Sequence, residues 1–196
     1  PDDPADGFDT MALAVDKRTS QAVVLKPLAL GNDASAYGRV LARTSDGDLG
    51  CFFRLFALSR DASEILLYRS TAGILRSNRP LAEQAALAAT GGFTPNGGDD
   101  VYRAGGFGLP LWKGGDGTAE RRYLETVRLV SRQFLRLFDF GADRTRWDLP
   151  VSYSPYPDEA LHAWWGFLDP TLAGHDPALA SRLRPFLDDV LRIVDD

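Results

Sequence analysis

The sequence is poor in the features that mark disulfide-stabilised, membrane-spanning and nucleic-acid-binding proteins. Its single cysteine, Cys51, has no second thiol in the chain with which to form a disulfide. No apolar run approaches the roughly 20 residues that a membrane-spanning helix needs. The basic residues form no dense cluster, and 22 Lys and Arg against 27 Asp and Glu give a net charge of −5. We therefore predict no membrane span in this chain and no broad binding to a nucleic-acid backbone.

What is present suffices for a sizeable core. A chain of 196 residues, of which 44% are apolar, can form one large domain or two small ones. The apolar neighbours Phe52 and Phe53 predict that Cys51 is buried. The chain opens on Pro1 and closes on Asp196 directly after an apolar helical pattern, so we expect it to be an internal piece of a longer protein.

Residues 1–79 have the pattern of an antiparallel β unit. Short apolar runs alternate with polar turns, and the Asp-Gly pair at positions 46 and 47 is a strong hairpin signal. The predicted strands are residues 11–15, 21–25, 38–43, 51–58 and 64–69.

Residues 80–140 combine two helical patterns with a glycine-rich stretch between them. Helices are predicted at 81–89 and 118–138, and in the second Glu120 and several arginines form what we interpret as a solvated face. Between the helices, aromatic residues stand among frequent glycines, which is typical of an ordered loop with functional potential. The run Gly105-Gly106-Phe107-Gly108 is not followed by Lys-Ser/Thr and so does not match a P-loop.

Residues 141–196 are predicted as an α/β unit. An apolar strand is expected at 149–153, and two prolines end it before a new helix begins. The last helix is expected at 177–194, with either a kink or a second helix start at Pro185. A strand placed between helices in this way favours an α/β architecture for the final third of the chain.

Asp158 and His162 are the residues of this region that point to chemistry. Four positions apart on a helix, they lie on one face and can both reach one ion, and a carboxylate with an imidazole suits zinc. A structural interpretation also fits: Asp158 caps the helix N-terminus, Glu159 is a favourable first-turn acid, and Trp164 and Trp165 are packing residues. Spacing alone favours the structural interpretation, because such short matches arise often by chance.

A longer sequence pattern favours the interpretation of Asp158 and His162 as metal ligands. Tyr-x-Pro-x-Pro-Asp-Glu-x-x-His followed by Trp-Trp-Gly, at residues 153–166, resembles a segment of type I phosphodiesterases and nucleotide pyrophosphatases, members of the alkaline phosphatase superfamily. Asp169-Pro170 and His175-Asp176-Pro177 also look like the region that follows this segment in the family. Weaker similarity extends over residues 45–196, and the β-rich part is similar to an insertion in some bacterial members.

The resemblance implies a fold, a cofactor and a reaction. The fold is an alkaline-phosphatase-like α/β core fragment with an antiparallel β-rich insertion as a cap, mixed α+β overall. The family hydrolyses phosphoesters with two zinc ions, and its Asp and His at this spacing ligate one of them, which implies Asp158 and His162 here. A diester, a nucleotide pyrophosphate and a monoester all stay open as substrates. Members of the family are often exported to the periplasm or the extracellular space, and the sequence itself makes no prediction of localisation.

The departures from the family pattern define what is missing. The family's Thr or Ser nucleophile lies upstream of the motif and a further Asp-His ligand pair lies downstream, and this chain shows neither. His175 precedes Asp176 in the inverted order and is better interpreted as a turn residue, and Cys51 does not match a sulfatase nucleophile. We therefore expect the nucleophile outside these residues and predict that the chain alone is inactive.

A second hypothesis makes the chain a non-catalytic binding or regulatory module for a glycan or a protein partner. Phe93, Tyr102, Phe107 and Trp112 of the glycine-rich stretch would then provide the contacts. In the hydrolase hypothesis Tyr102, Trp112 and Tyr156 are the candidate substrate-binding residues instead.

Overall fold

The computed structural model describes residues 6–15, 22–31, 36–45, 47–74, 85–86, 96–143 and 148–195. The chain divides into two compact units, Pro1–Pro95 and Asn96–Asp196. The boundary between them falls inside the region 80–140 that the sequence patterns set apart. The architecture is mixed, with antiparallel β-sheet in the first unit and long helices in the second.

The first unit is built on hairpins, as its sequence predicts. The strands are β1 (Met11–Leu13), β2 (Val23–Leu25), β3 (Gly38–Thr44), β4 (Gly47–Leu58), β5 (Ile65–Arg69) and β6 (Gly73–Ile74). β1 pairs antiparallel with β2, and β3, β4 and β5 form an antiparallel sheet in that order, while the unpredicted β6 pairs with β4. Of the helix predicted at 81–89, only Ala85 and Ala86 are described, and both are helical.

Strand β4 contains a β-bulge that the sequence pattern does not predict. Against β5 the register shifts between Leu55 and Ala57, so that Phe56 is an extra residue in the ladder. Arg54, Leu55 and Phe56 are all buried. Arg54 and Leu55 pair regularly and therefore face opposite sides, so both faces of β4 are covered at this point. The Arg54 guanidinium lies 5.0 Å from the centre of the Phe56 ring and donates to the carbonyl oxygen of Leu28 at 3.0 Å.

Cys51, predicted to be buried, is only half-buried. Phe52 is buried, and because strand side chains alternate, Cys51 and Phe53 share the other, half-buried face of β4. Partial burial nevertheless raises the pKa of the Cys51 thiol, and the nearby Arg69 charge opposes the shift.

All the regular secondary structure described in the second unit is helical. The elements are α1 (Gly98–Arg103), a 3₁₀ turn (Leu111–Lys113), α2 (Thr118–Ala142), α3 (Asp158–Leu168) and α4 (Pro177–Asp195). Helices α2 and α4 confirm the two long helices predicted from apolar periodicity, and Pro185 lies inside α4 without ending it. Among the described residues, no helix combines the length and the apolar character needed to cross a membrane.

The strand predicted at 149–153 is not observed. In the described part of the chain no strand pairs with this segment, and Leu149, Val151 and Tyr153 are 77%, 83% and 70% exposed. The apolar residues alternate as in a strand, but among the described residues no sheet covers them. Pro150 also removes one of the backbone donors that a ladder would use. Residues 148–195, as described, hold α3 and α4 and no strand.

Candidate functional site

Helix α3 begins where two prolines end the preceding chain. The backbone N–H of Glu159 donates to the carbonyl oxygen of Pro155, and that of Leu161 donates to Pro157, so the first turn closes directly after the prolines. Pro157 is the N-cap residue and Asp158 is the first helical residue, which corrects the interpretation of Asp158 as the cap. Asp158 and Glu159 still place negative charge at the positive end of the helix dipole.

The faces of α3 are set by its sequence. Ala160, Trp164 and Leu168 recur every four residues and are buried. Asp158 and His162 occupy the opposite, exposed face. The helix therefore presents the acid and the imidazole outward because its apolar residues hold the other side in the core.

The Asp158 carboxylate and the His162 imidazole lie together on that face. Asp158 Oδ2 is 3.4 Å from His162 Nε2, and the two side chains are 64% and 63% exposed. Two ligands bound about 2.0–2.1 Å from one tetrahedral zinc ion lie roughly 3.3–3.4 Å apart, so the donor atoms fit as a pair of zinc ligands. Within the described residues no third His, Cys, Asp or Glu completes a metal-binding group with them.

Charged residues from α1 fix the beginning of α3. Arg103 Nη2 lies 3.8 Å from the Asp99 carboxylate, 3.6 Å from the Glu159 carboxylate and 3.4 Å from the Glu159 carbonyl oxygen. Burial, and next the charge of Asp99, raise the pKa of Glu159. One guanidinium thus joins two carboxylates across the two helices, next to the Asp158 position.

A buried polar chain lies beneath the inner face of α3. Trp164 Nε1 donates to the Tyr102 hydroxyl at 2.9 Å, and that hydroxyl donates to Glu120 Oε1 at 2.6 Å. The same Glu120 oxygen accepts the backbone N–H of Leu111 at 2.8 Å. Burial, followed by the contact with Glu120, raises the pKa of Tyr102, so its hydroxyl stays protonated and can donate.

Aromatic rings pack around this chain. The Tyr102 ring stacks on Tyr123 with centroids 4.6 Å apart, and the Trp164 ring meets Tyr123 edge-on at 5.8 Å. Tyr156 packs against Tyr123 from the segment before α3, at 6.4 Å. Such pairs add to the stabilisation that comes from burying the rings. The buried ring cluster, Tyr102, Tyr123, Tyr156 and Trp164, therefore anchors α3 to α1 and α2.

The candidate substrate-binding residues lie in or beside this cluster. Tyr102 and Tyr156 are 0% and 2% exposed, so the interior occupies their side chains. Trp112 is half-buried, stacks on Phe167 at 5.8 Å and meets Tyr102 edge-on at 5.1 Å. Phe107 is also buried, and Phe93 lies outside the described residues. The observed role of the described rings is to build the core, and substrate contact stays a prediction.

Glu120 is the residue of this region that sequence reasoning misplaced. The sequence pattern predicts Glu120 on the solvated face of α2, but in the structure its side chain is 0% exposed and accepts two hydrogen bonds. Its position in the first turn of α2 is the sequence signal, because an acid there is favoured by the helix dipole. The partners that draw it inward are Tyr102 on α1 and Leu111 in the 3₁₀ turn, and helical periodicity within α2 cannot reveal them.

The glycine-rich stretch is an ordered part of this core. Predicted as a loop, it contains α1 and the 3₁₀ turn, and its aromatic residues Tyr102 and Phe107 are buried in the interior. Gly115 is needed for close approach, because a Cβ there would collide with the carbonyl oxygen of Leu109. By contrast, a Cβ on Gly114 would meet no atom within 4 Å, although its φ of +90° is left-handed.

We expect Gly115→Ala to lower the free energy of unfolding of the second unit by about 1–3 kcal/mol, because the added methyl group must push the Leu109 carbonyl aside. Gly141→Ala is the control, because a Cβ on this α2 glycine would meet no atom within 4 Å, and it should leave the free energy of unfolding unchanged or raise it by about 0.5–1 kcal/mol. Urea unfolding followed by circular dichroism measures both. If Gly115→Ala leaves stability unchanged, the close approach of the loop to residue 109 is wrong.

His175 closes the turn between α3 and α4. Its Nδ1 lies 2.9 Å from the carbonyl oxygen of Phe167, and because a carbonyl only accepts, Nδ1 carries the proton and donates. Its backbone N–H donates to the carbonyl oxygen of Leu172 at 3.0 Å. These contacts agree with the interpretation of His175 as a turn residue.

Comparison of the chain with protein-family models, with curated proteins and with solved structures found no match.

Proposed function

We propose that this chain is part of a metal-dependent phosphoester hydrolase, similar to phosphodiesterases and nucleotide pyrophosphatases, in which Asp158 and His162 hold one zinc ion. The observation that carries the proposal is the 3.4 Å separation of Asp158 Oδ2 and His162 Nε2 on an exposed helix face. The resemblance of residues 153–166 to the family's metal-binding segment supports the same assignment.

The residues have distinct roles in this proposal. A zinc ion bound there would polarise phosphate oxygens and lower the pKa of a coordinated hydroxyl group. Asp158 supplies a charged oxygen ligand, and His162 supplies a neutral nitrogen ligand through Nε2. Arg103 holds the first turn of α3 through Glu159, and buried Trp164 holds the helix from its inner face. The pair is thus presented on a rigid element, which a metal site requires.

The proposal also includes a family-level fold for the two units. The second unit would contribute to an alkaline-phosphatase-like α/β core, and the β-rich residues 1–79 would form a cap that selects the leaving group. The nucleophile and the remaining ligands would come from residues outside this sequence. The predicted substrate is a small phosphoester.

The proposal is tested with the polypeptide as its gene encodes it. Hydrolysis of bis(p-nitrophenyl) phosphate, p-nitrophenyl phosphate and a nucleotide pyrophosphate is measured before chelation, after chelation and after the addition of zinc. We expect chelation to abolish turnover of at least one substrate and zinc to restore it better than magnesium does. Turnover that survives complete removal of metal, or no turnover of any of the three, would contradict the proposal and favour the binding module.

A further inference from the structure

A separate polar cavity lies on α2. Its volume is about 160 Å³, and its walls are Arg128, Ser131, Arg132 and Leu135 of α2 with Ile193 of α4. A single buried water needs only about 10–15 Å³, so the space is sufficient for a larger polar ligand. None of these residues belongs to the zinc pair or to the buried ring cluster.

The cavity concentrates positive charge. Arg128 and Arg132 are four residues apart and therefore neighbours on the helix surface, where like charges destabilise a helix by a few tenths of a kcal/mol. No described carboxylate forms an ion pair with Arg128. An anion bound beside Arg128 would offset the charge of its guanidinium group.

The wall also holds a polar atom without a partner. Ser131 is only 6% exposed, and within the described part of the chain its hydroxyl makes no hydrogen bond. A buried hydroxyl without a partner loses free energy that a ligand oxygen could restore. Ser131 belongs to the cavity wall, and a serine hydroxyl can both donate and accept a hydrogen bond.

We propose that this cavity is a binding site for a phosphate group. The planar guanidinium forks of Arg128 and Arg132 match the oxygen pairs of a tetrahedral oxyanion, and the Ser131 hydroxyl supplies a further donor. Leu135 and Ile193 form the apolar remainder of the wall. The chain carries a net charge of −5, so an anion is held here by local geometry rather than by overall attraction.

The site is tested by calorimetric titration of the chain with inorganic phosphate, at an ionic strength held constant with sodium chloride. Arg128→Gln and Arg132→Gln should each weaken binding about 10-fold or more, because each removes charge-assisted hydrogen bonds. Ser131→Ala should weaken it about 3-fold. Arg136→Gln is the matched control, because it removes the same charge from α2 one turn beyond the cavity wall, and it should change affinity less than about 2-fold.

A titration with phenyl phosphate separates free phosphate from a phosphate ester as the ligand. Tighter binding of the ester assigns the site to an organic phosphate, and equal binding assigns it to the free ion. Circular dichroism of each variant shows whether the fold is kept, and a misfolded variant is replaced by the corresponding Arg→Lys change, which should lose the bidentate contact. Absence of phosphate binding to the unaltered chain, or equal weakening by Arg136→Gln and Arg128→Gln, would overturn the proposal.

Discussion

Asp158→Ala and His162→Ala are each expected to lower phosphoester turnover by the gene product at least about 100-fold. Loss of residues that only orient a metal ligand costs 10–100-fold in activity or metal affinity, and removal of a ligand itself should cost more. Both residues would bind the same ion through atoms 3.4 Å apart, so the double variant should be little worse than either single one. Zinc content, measured by atomic absorption, should fall together with turnover.

The chain offers matched controls for these variants. His175→Ala removes the other histidine, whose Nδ1 is engaged by the Phe167 carbonyl, and Asp188→Ala removes an exposed acid of α4. Both should keep zinc content and turnover within about 2-fold once their fold has been verified. Full zinc content and an unchanged rate in Asp158→Ala and His162→Ala would remove the two residues from the metal site.

Trp164→Ala is expected to lower the free energy of unfolding of the second unit by about 3–5 kcal/mol. The side chain is 0% exposed, and its ring packs edge-on against Tyr102 and Tyr123. Its removal leaves a large cavity and takes away the donor to the Tyr102 hydroxyl. Both losses act on the element that carries Asp158 and His162. Urea unfolding followed by circular dichroism gives the value directly.

Two further variants separate burial from hydrogen bonding. Trp165→Ala removes the adjacent ring, which is 47% exposed, and should cost less than about 1 kcal/mol. Tyr102→Phe keeps the ring but deletes the hydroxyl between Trp164 and Glu120, and should cost about 1–3 kcal/mol because a buried carboxylate loses a donor. Equal destabilisation by Trp164→Ala and Trp165→Ala would show that the buried ring cluster does not anchor α3.

Much of the local structure follows from the sequence. Polar turns between apolar runs predict the hairpin of β1 and β2 and the pairing of β3 with β4, because the strands need only short connections. The long apolar periodicities predict α2 and α4 closely, since each helix is defined by the face that it buries. The proximity of Asp158 and His162 also follows from their spacing on a helix.

What the sequence does not reveal depends on contacts between distant segments. The bulge at Phe56 is a feature of the pairing of β4 with β5, and neither strand shows it alone. Glu120 is drawn inward by Tyr102 and Leu111, which lie 18 and 9 residues away in the chain. The segment 149–153 has the period of a strand, but a strand requires a partner, and alternation cannot show whether one is present.

Only the part of the candidate site that lies within one helix can be predicted from the sequence. Spacing on a helix predicts that one ion could reach both Asp158 and His162, whereas the rings that hold the helix come from α1, α2 and the preceding segment. The sequence predicts Tyr102 and Tyr156 as substrate contacts, because residues in loops often bind ligands. Their burial, at 0% and 2% exposure, depends on how the helices pack against one another, which the sequence pattern does not contain.

Zinc titration of the ¹⁵N-histidine-labelled chain, followed by nuclear magnetic resonance, tests the metal assignment most directly. The sequence contains two histidines, so His162 and His175 give separate signals, and His175 serves as an internal control. We predict that zinc shifts the Nε2 signal of His162, leaves His175 unchanged, and acts more weakly on His162 in Asp158→Asn. An unshifted His162, or equal shifts of both histidines that Asp158→Asn does not alter, would contradict the assignment of Asp158 and His162 to one zinc ion.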